Sequence, residues 1–329
     1  MVGTAAEAPT GPARRLHDLA VDRARSGHTA DDFLRGGLPL PGDLLDELRE
    51  HIAPPDREAG TRTVRGLLDP FLPVGPTPLR WGLPQTPELR ALDIAIATIA
   101  LAVGHPFGWA GQQGGRLVHD IVPTQGFETM QVGASSQTPL EWHTEDAFHP
   151  ERAHLVALVC LRNPDGIGSR VSSVRDLDLT GAEMDVLRRR DSRILPDDSY
   201  PESWQAGGGE DGVAAVWDAD DGPCLRYDPA YTRFLTEDPE FRAVYDKLAV
   251  SLERASTVVD IQAGDVLLID NDLVVHGRNS FTPRYDGTDR WLKRILLHLD
   301  RPRPADAATE HRYDQPIRTV AGRTEDRRG

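Results

Sequence analysis

Apolar positions recur at helical spacing in a few stretches of the chain. Within 41–53, Leu44, Leu45, Leu48 and Ile52 fall on one stripe behind Pro41. A proline there suits a first turn, whose N–H groups lack intrahelical partners anyway. Thr86-Pro87-Glu88-Leu89 opens a second helix, with Thr86 as N-cap and Pro87 at the first helical position. It runs to about Val103 and ends at Gly104, and Ile94, Ile96, Ile99, Ala100 and Leu101 leave it almost no polar face. That pattern predicts a buried helix. Two more helices are expected near 180–190 and 239–254.

Short apolar or alternating runs predict strands over 116–122, 129–134, 154–161, 213–217, 224–227, 257–262, 266–270 and 291–299. Turn-formers such as Asn163-Pro164-Asp165-Gly166 and Asp220-Asp221-Gly222-Pro223 separate several of them. Many short strands with a few flanking helices favour a β-sandwich or jelly roll with helical additions. Residues 1–16 are small and polar and are expected to be disordered, and 301–329 read as a charged tail. That leaves 17–300 as one domain. The chain shows no internal repeat, no Walker-type loop and no G-x-S-x-G, so nucleoside triphosphate and serine-hydrolase chemistry lose their usual signatures.

Composition narrows the partners. The 329 residues carry a formal charge of −15, the wrong sign for binding nucleic acid or an anionic membrane surface. Two cysteines, Cys160 and Cys224, cannot make a disulfide framework, and both lie in apolar segments that suit buried thiols. No leader-like start and no apolar run of ~20 residues is present, so the simplest reading is a soluble cytoplasmic protein with a small-molecule partner. Oligomeric state cannot be read from the chain.

His143-Thr144-Glu145 is the first candidate for chemistry. With 11 histidines and 52 acidic residues, chance alone supplies about 1.7 copies of H-x-[D/E]. The chain has three such pairs: His143/Glu145, His149/Glu151 and His298/Asp300. Context separates them. His143 follows Leu140-Glu141-Trp142 at a strand end turning into a polar loop, and on a strand i and i+2 share a face. His149 precedes a proline, and His298 closes an apolar strand.

A metal held by His and carboxylate needs another ligand. His276 emerges from an apolar strand into Gly277-Arg278, and Arg290 lies 14 residues further on. A histidine there is as readily a satisfied core residue, but the arginine adds a second element. Two histidines and one carboxylate on one face of a metal leave adjacent positions open and suit Fe(II) that must bind a co-substrate and O2 together. A 2-oxo acid can take two positions, and its far carboxylate needs a planar, bidentate cation.

That order of residues resembles the Fe(II)/2-oxoglutarate oxygenases of the clavaminate synthase-like group. Longer stretches resemble the free-amino-acid hydroxylases within it: Trp142-His143-Thr144-Glu145-Asp146-Ala147-Phe148-His149-Pro150, Leu161-Arg162-Asn163-Pro164-Asp165-Gly166 and Asp286-Gly287-Thr288-Asp289-Arg290-Trp291-Leu292-Lys293-Arg294. The resemblance covers roughly 80–300. It implies a double-stranded β-helix (jelly-roll, cupin-like) core, mainly β with helical additions. It also implies Fe(II) held by His143, Glu145 and His276, with 2-oxoglutarate and O2 as co-substrates. Arg290 would bind the distal carboxylate of 2-oxoglutarate, with Ser169 nearby. Arg294 would bind the substrate α-carboxylate, Gln112 the α-amino group, and Glu145 would share that contact.

Asp228, in Leu225-Arg226-Tyr227-Asp228-Pro229-Ala230-Tyr231, would anchor a cationic substrate side chain. A solvated strand-end acid is the plainer reading of the same residue. Arginine hydroxylases of one type carry a second Asp two residues on, where this chain has Ala230; the arrangement looks more like an enduracididine hydroxylase. The implied reaction is hydroxylation of a free basic L-amino acid, arginine or a cyclic derivative such as enduracididine, as in peptide-antibiotic biosynthesis. The β-carbon is the first target and the γ-carbon the next. Lysine, asparagine, citrulline or a carrier-tethered amino acid, and desaturation, are alternatives within the same chemistry. A zinc-dependent hydrolase or a binding protein without catalysis are alternatives outside it.

Overall fold

The strand over 155–162 has seven consecutive buried residues. Successive strand side chains point to opposite faces, so unbroken burial requires cover on both. In this computed structural model one face, with Leu155, Ala157, Val159 and Leu161, packs against helical residues such as Leu16, Leu44, Ile94 and Ile96. The other, with Val156, Leu158 and Cys160, packs against Val171, Val274, Tyr227 and Phe241. One sheet thus separates two apolar cores, with helices on one side and a second sheet on the other.

The structure describes residues 6–7, 10–200, 212–304, 310–313 and 315–320. Its elements run β1 (Ala6–Glu7), α1 (Thr10–Arg25), α2 (Gly42–Arg49), β2 (Thr61–Arg65), α3 (Pro87–Val103), β3 (His105–Trp109), β4 (His119–Ile121), β5 (Leu140–His143), β6 (Leu155–Arg162), β7 (Ser169–Ser173), α4 (Gly181–Leu187) and β8 (Ser192–Ile194). They continue β9 (Val216–Ala219), β10 (Gly222–Leu225), β11 (Thr232–Phe234), α5 (Pro239–Ala255), β12 (Thr257–Val259), β13 (Val266–Asp270), β14 (Val274–Arg278), β15 (Trp291–His298) and β16 (Ile317–Thr319). The large sheet has the order β1-β2-β13-β6-β15-β3-β16, with β4 also on β15; the smaller has β12-β7-β14-β5. All pairings inside both are antiparallel except β1 with β2. The architecture is therefore mixed α/β with several antiparallel sheets.

The helix expected from Thr86 forms as read: the Thr86 hydroxyl accepts from the Leu89 N–H, Pro87 is the first residue and Gly104 the cap. The run 129–134 is not a strand. Its loop satisfies itself instead, as the Glu128 carbonyl accepts from the N–H groups of Ser136, Gln137 and Thr138. The expected disorder of 1–16 does not extend to its described end, because α1 begins at Thr10. Ala13, Leu16, Ala20 and Ala24 make its buried stripe, apolar by small residues and therefore easy to overlook. The described residues after 300 are not a solvated tail either. Arg301 and Arg303 pair with the buried Asp270 and Asp272, and β16 lines up antiparallel on β3. Charged composition there reflects arginines that neutralise buried acids. Cys160 and Cys224 are buried free thiols, as expected, and burial pushes the Cys160 thiol up to about 12. Among the described residues no helix is long and apolar enough to cross a membrane.

A buried charge cluster joins the layers. Lys293, fully buried on β15, lies 2.7 Å from Asp120 on β4 and 3.0 Å from Asp93 on α3. Arg116 approaches both acids, at 3.0 and 3.3 Å, and the Trp291 indole donates to Asp120. Burial favours protonation of Asp120, but Lys293 outweighs it and holds the carboxyl below its usual range. Lys293→Met should leave two buried acids short of one cation and destabilise the fold by about 3–5 kcal/mol. Urea unfolding monitored by tryptophan emission reads this directly; a loss under ~1 kcal/mol would mean that Arg116 alone balances the pair.

Candidate active site

His143 ends β5 and His276 sits inside β14, and the two are direct cross-strand partners. Their rings lie 4.2 Å apart between centroids. The ladder shifts register between His276 and Arg278. Gly277 permits this approach, because a Cβ there would meet the Leu140 carbonyl oxygen at 2.7 Å. Beyond His143 the chain leaves the sheet. The Thr144 N–H donates to the Tyr227 carbonyl at 2.7 Å, and the Tyr227 N–H returns a bond to the Thr144 hydroxyl at 3.1 Å. Asp146 adopts a left-handed φ of 50°. The His143/Glu145 spacing thus works through a pinned turn rather than through the strand pleat.

Asn271 does the pinning. Its side chain accepts from the Glu145 N–H at 2.8 Å and donates to the Glu145 and Ala153 carbonyls at 3.1 and 3.0 Å. The sequence offers only a polar residue after a buried strand as its signal. One ligand atom each from His143, Glu145 and His276 lie within 4.8 Å of one another, compact enough for a single ion.

The donor set fits a divalent cation. The His143 Nδ1 faces the Glu141 carbonyl at 2.8 Å, which fixes Nδ1 as the protonated nitrogen and leaves Nε2 a free lone pair. Burial, and then His276, push His143 down to about 4, so it is neutral at physiological pH. Burial alone would raise the Glu145 carboxyl. Arg294 and the two histidines overcome that and hold it well below the carboxylate range. His276 Nε2 faces Glu145 at 3.6 Å, and His276 Nδ1 is buried without a hydrogen-bond partner.

Two arginines of β15 and its approach behave differently. Arg294 is paired: it makes a short hydrogen bond to Glu145 Oε1 and donates to Gln112 Oε1 and His119 Nδ1, each at 2.8 Å. His119 is thereby the Nε2–H tautomer, facing the Arg116 carbonyl, and burial followed by Arg294 drives it to about 3. Arg290 is buried and has no carboxylate partner among the described residues. Among the described residues its one side-chain hydrogen bond is to the Ser169 hydroxyl at 3.4 Å, its Nε is unsatisfied, and burial holds it down to about 10. Arg278 beside it is pressed to about 9, by burial and then by Arg290. Two buried cations facing each other make a receptor for an anion.

His143, Glu145, His276, Ser169, Arg290, Arg294 and Asp228 all line one cavity. Gln112 does not. It sits behind the wall, its amide donating to Asp146 and the Tyr200 hydroxyl at 2.8 and 2.7 Å, and it reaches the cavity through Arg294 and Asp146. Asp146, which the Trp109 indole also contacts, is pushed up to about 7 by burial and then by Glu145. Asp228 is pushed well above the carboxylate range by burial and then by Asp197.

Asp197 is the residue that sequence reasoning missed. It follows β8, lines the same cavity, and burial raises its carboxyl too. Only the fold brings this loop opposite Asp228; nothing local marks it. The other two H-x-[D/E] pairs are elsewhere. His149 faces the Arg312 carbonyl and packs edge-on to Trp109, and His298 stacks on Phe107.

Comparison with known proteins agrees with this geometry. Residues 210–296 match the family described as "Taurine catabolism dioxygenase TauD, TfdA family". The enduracididine beta-hydroxylase of Streptomyces hygroscopicus is 36% identical over 284 residues, covering 79% of this chain and 82% of that one. The L-asparagine oxygenase of Streptomyces coelicolor is 36% identical over 272 residues, 78% of each. The non-heme iron oxygenase OrfP, solved with Fe and alpha-ketoglutaric acid, superposes with a TM-score of 0.74 at 34% identity over 90% of this chain and 95% of that one; it has also been solved with Fe and L-Arg. The chain belongs to the TauD/TfdA family of Fe(II)/2-oxoglutarate-dependent oxygenases, in its clavaminate synthase-like branch of amino-acid hydroxylases.

Proposed function

We propose that the protein hydroxylates a free basic L-amino acid, arginine or a cyclic arginine derivative, at the β-carbon. The observation that carries the substrate class is the pair Asp197 and Asp228: both line the cavity, both are raised by burial, and neither pairs with a basic side chain among the described residues. A cationic side chain between them would relieve both. OrfP, solved with L-Arg, and the enduracididine hydroxylase support the same class. In this reading the two facing sheets are the halves of a double-stranded β-helix.

His143, Glu145 and His276 hold the iron. Iron with 2-oxoglutarate and O2 supplies the oxidising power for an unactivated C–H bond. The protein supplies position. Arg290 and Ser169 take the distal carboxylate of 2-oxoglutarate at the blind end. Arg294, already aligned by Glu145 and Gln112, presents its guanidinium edge to the substrate α-carboxylate. Gln112 is locked in one amide orientation by Asp146 and Tyr200 and acts from behind the wall by holding Arg294, which leaves Glu145 to meet the α-amino group. Asp228 and Asp197 hold the far end. With both ends pinned, the β-carbon is the atom presented to the metal face, and alignment decides the product.

One observation favours a second reading. Burial keeps Asp197 and Asp228 inclined to hold a proton, and a protonated carboxyl pairs well with a neutral amide, as in asparagine. A panel of arginine, enduracididine, lysine, citrulline and asparagine, assayed by succinate release and product mass, separates the two; neutral side chains outperforming cations would overturn the cationic reading.

His276→Ala should abolish the weak visible band that forms when Fe(II) and 2-oxoglutarate are added without oxygen. It should also abolish succinate production, and continued turnover would remove His276 from the ligand set. Arg290→Gln should raise KM for 2-oxoglutarate by roughly 30-fold or more, the usual cost of removing one member of a buried charge pair, with little change in KM for the amino acid. Asp228→Asn should raise KM for a basic substrate far more than for citrulline. A proton competes with the cation for these raised carboxyls, so KM for the basic substrate should climb as pH falls through their range. Asp228→Asn should flatten that climb; an unchanged pH profile would argue against the role.

A further inference from the structure

A second pocket lies apart from the iron site, lined by Arg152, Arg226, Arg303, Trp217, Pro304 and Glu310 among others. Its arginines are out of the solvent: Arg152 is 2% exposed and Arg226 3%. Their carboxylate partners do not suffice. Asp272 is 3.5 Å from Arg152 and 3.0 Å from Arg303, but it also binds Arg301 at 2.9 Å. Arg226 has Glu310 at 2.7 Å on one nitrogen and the Ala147 carbonyl on another. Arg303 spends its remaining N–H groups on the Pro150, Arg152 and Ala153 carbonyls. Among the described residues, Arg152, Arg226 and Arg303 thus share Glu310 and Asp272, and Asp272 also serves Arg301, whose other partner is Asp270; the remaining charged pair of the lining, Arg188 with Asp218, is matched. Arg152 Nε and Arg226 Nη2 remain buried with no hydrogen-bond partner among the described residues. An unmet guanidinium N–H in such a place is costly unless an acceptor arrives.

We propose that this pocket binds a tetrahedral oxyanion of the phosphate or sulfate class, held by the Arg152 guanidinium and the uncommitted Nη2 of Arg226. Such an anion accepts several converging N–H donors at once, as guanidinium geometry favours. Trp217, over which the Arg152 guanidinium lies at 5.2 Å, and Pro304 form an apolar wall that suits the organic part of a phosphate ester. Burial, and then the neighbouring Arg303, push both arginines below their ordinary range. An arriving anion reverses that.

The consequence reaches the iron site. Arg226 Nε donates to the Ala147 carbonyl, two residues past Glu145, and Arg226 stands two residues before Asp228. The Arg226 N–H is itself tied to the Ala215 carbonyl at 2.8 Å. An occupied pocket holds Arg226 in place and so steadies both the ligand-bearing turn and the side-chain anchor. The pocket thus fits an effector or a structural anion, not a reactant.

Sodium sulfate titrated calorimetrically into the full-length, iron-loaded protein, against sodium chloride at matched ionic strength, tests this. The expected result is saturable binding of one sulfate that persists with saturating 2-oxoglutarate. Arg152→Gln and Arg226→Gln should each weaken it at least tenfold, and Arg290→Gln should leave it unchanged. Should Arg226→Gln fail to fold, Trp217→Phe serves instead: it should fold and lose the sulfate-dependent change in tryptophan emission. Tighter binding of glycerol 3-phosphate than of sulfate would identify a phosphate ester as the ligand, and equal or weaker binding the free ion. Absence of saturable binding overturns the proposal. So does binding that 2-oxoglutarate or Arg290→Gln removes, which would place the anion in the oxygenase site, or binding indifferent to both Arg152→Gln and Arg226→Gln.

Discussion

The contact between Arg294 and Glu145 is the constraint on which the site depends. A carboxylate enclosed by protein tends to take up a proton, and a protonated acid is a poor metal ligand. Arg294 prevents this from β15, in the large sheet, while Glu145 hangs from the rim of the smaller one. The same guanidinium reaches Gln112 and His119. One cation therefore sets the charge of a ligand, fixes a histidine tautomer and couples the two sheets. Its position is secured by the backbone of β15, which pairs with β6 along its whole length.

Beyond that pair, the described charges sort by whether they are matched. Lys293 with Asp93, Asp120 and Arg116 is balanced and serves the fold. Arg278 with Arg290, and Asp197 with Asp228, are not: in each pair like faces like, and all four line the one cavity. Stability alone would favour pairing each cation with an acid. Keeping them apart leaves a cavity with a cationic end and an acidic end, each completed by a ligand of the other sign. A co-substrate with two carboxylates and a substrate with a cationic side chain are the molecules that such a division accommodates.

Much of this was legible in the chain, and the boundary is physical. His143, Glu145 and Arg290 stand at strand ends or beside them, and His276 stands inside an apolar strand, where local pattern places them. Their meeting follows from two antiparallel strands in register. Ser169 was placed on a loose likeness and does contact Arg290. Asn271 and Asp197 escaped because their roles arise from contacts more than 30 residues away in sequence, Glu145 for one and Asp228 for the other. The helical start and the C-terminal strand escaped for a different reason. Small residues hid the apolar stripe of α1, and arginines that look solvated from composition are partners of buried acids.

Ala230 illustrates how a missing motif residue can mislead. The sequence carries one acid at Asp228 where some relatives carry two, which by itself suggests a weaker grip on a guanidinium. The fold supplies another acid from the segment after β8. Asp228 lies in the loop between β10 and β11, and a carboxylate from a separate segment is not tied to the spacing that two residues of one loop would have. The two also need not stay coplanar. Under the proposed reading, such a pair suits a cation larger than a flat guanidinium, including a guanidine closed into a ring. Under the proposed substrate class, selectivity among basic amino acids would be set where the segment after β8 meets Asp228, and much less at the metal site that all of them would share.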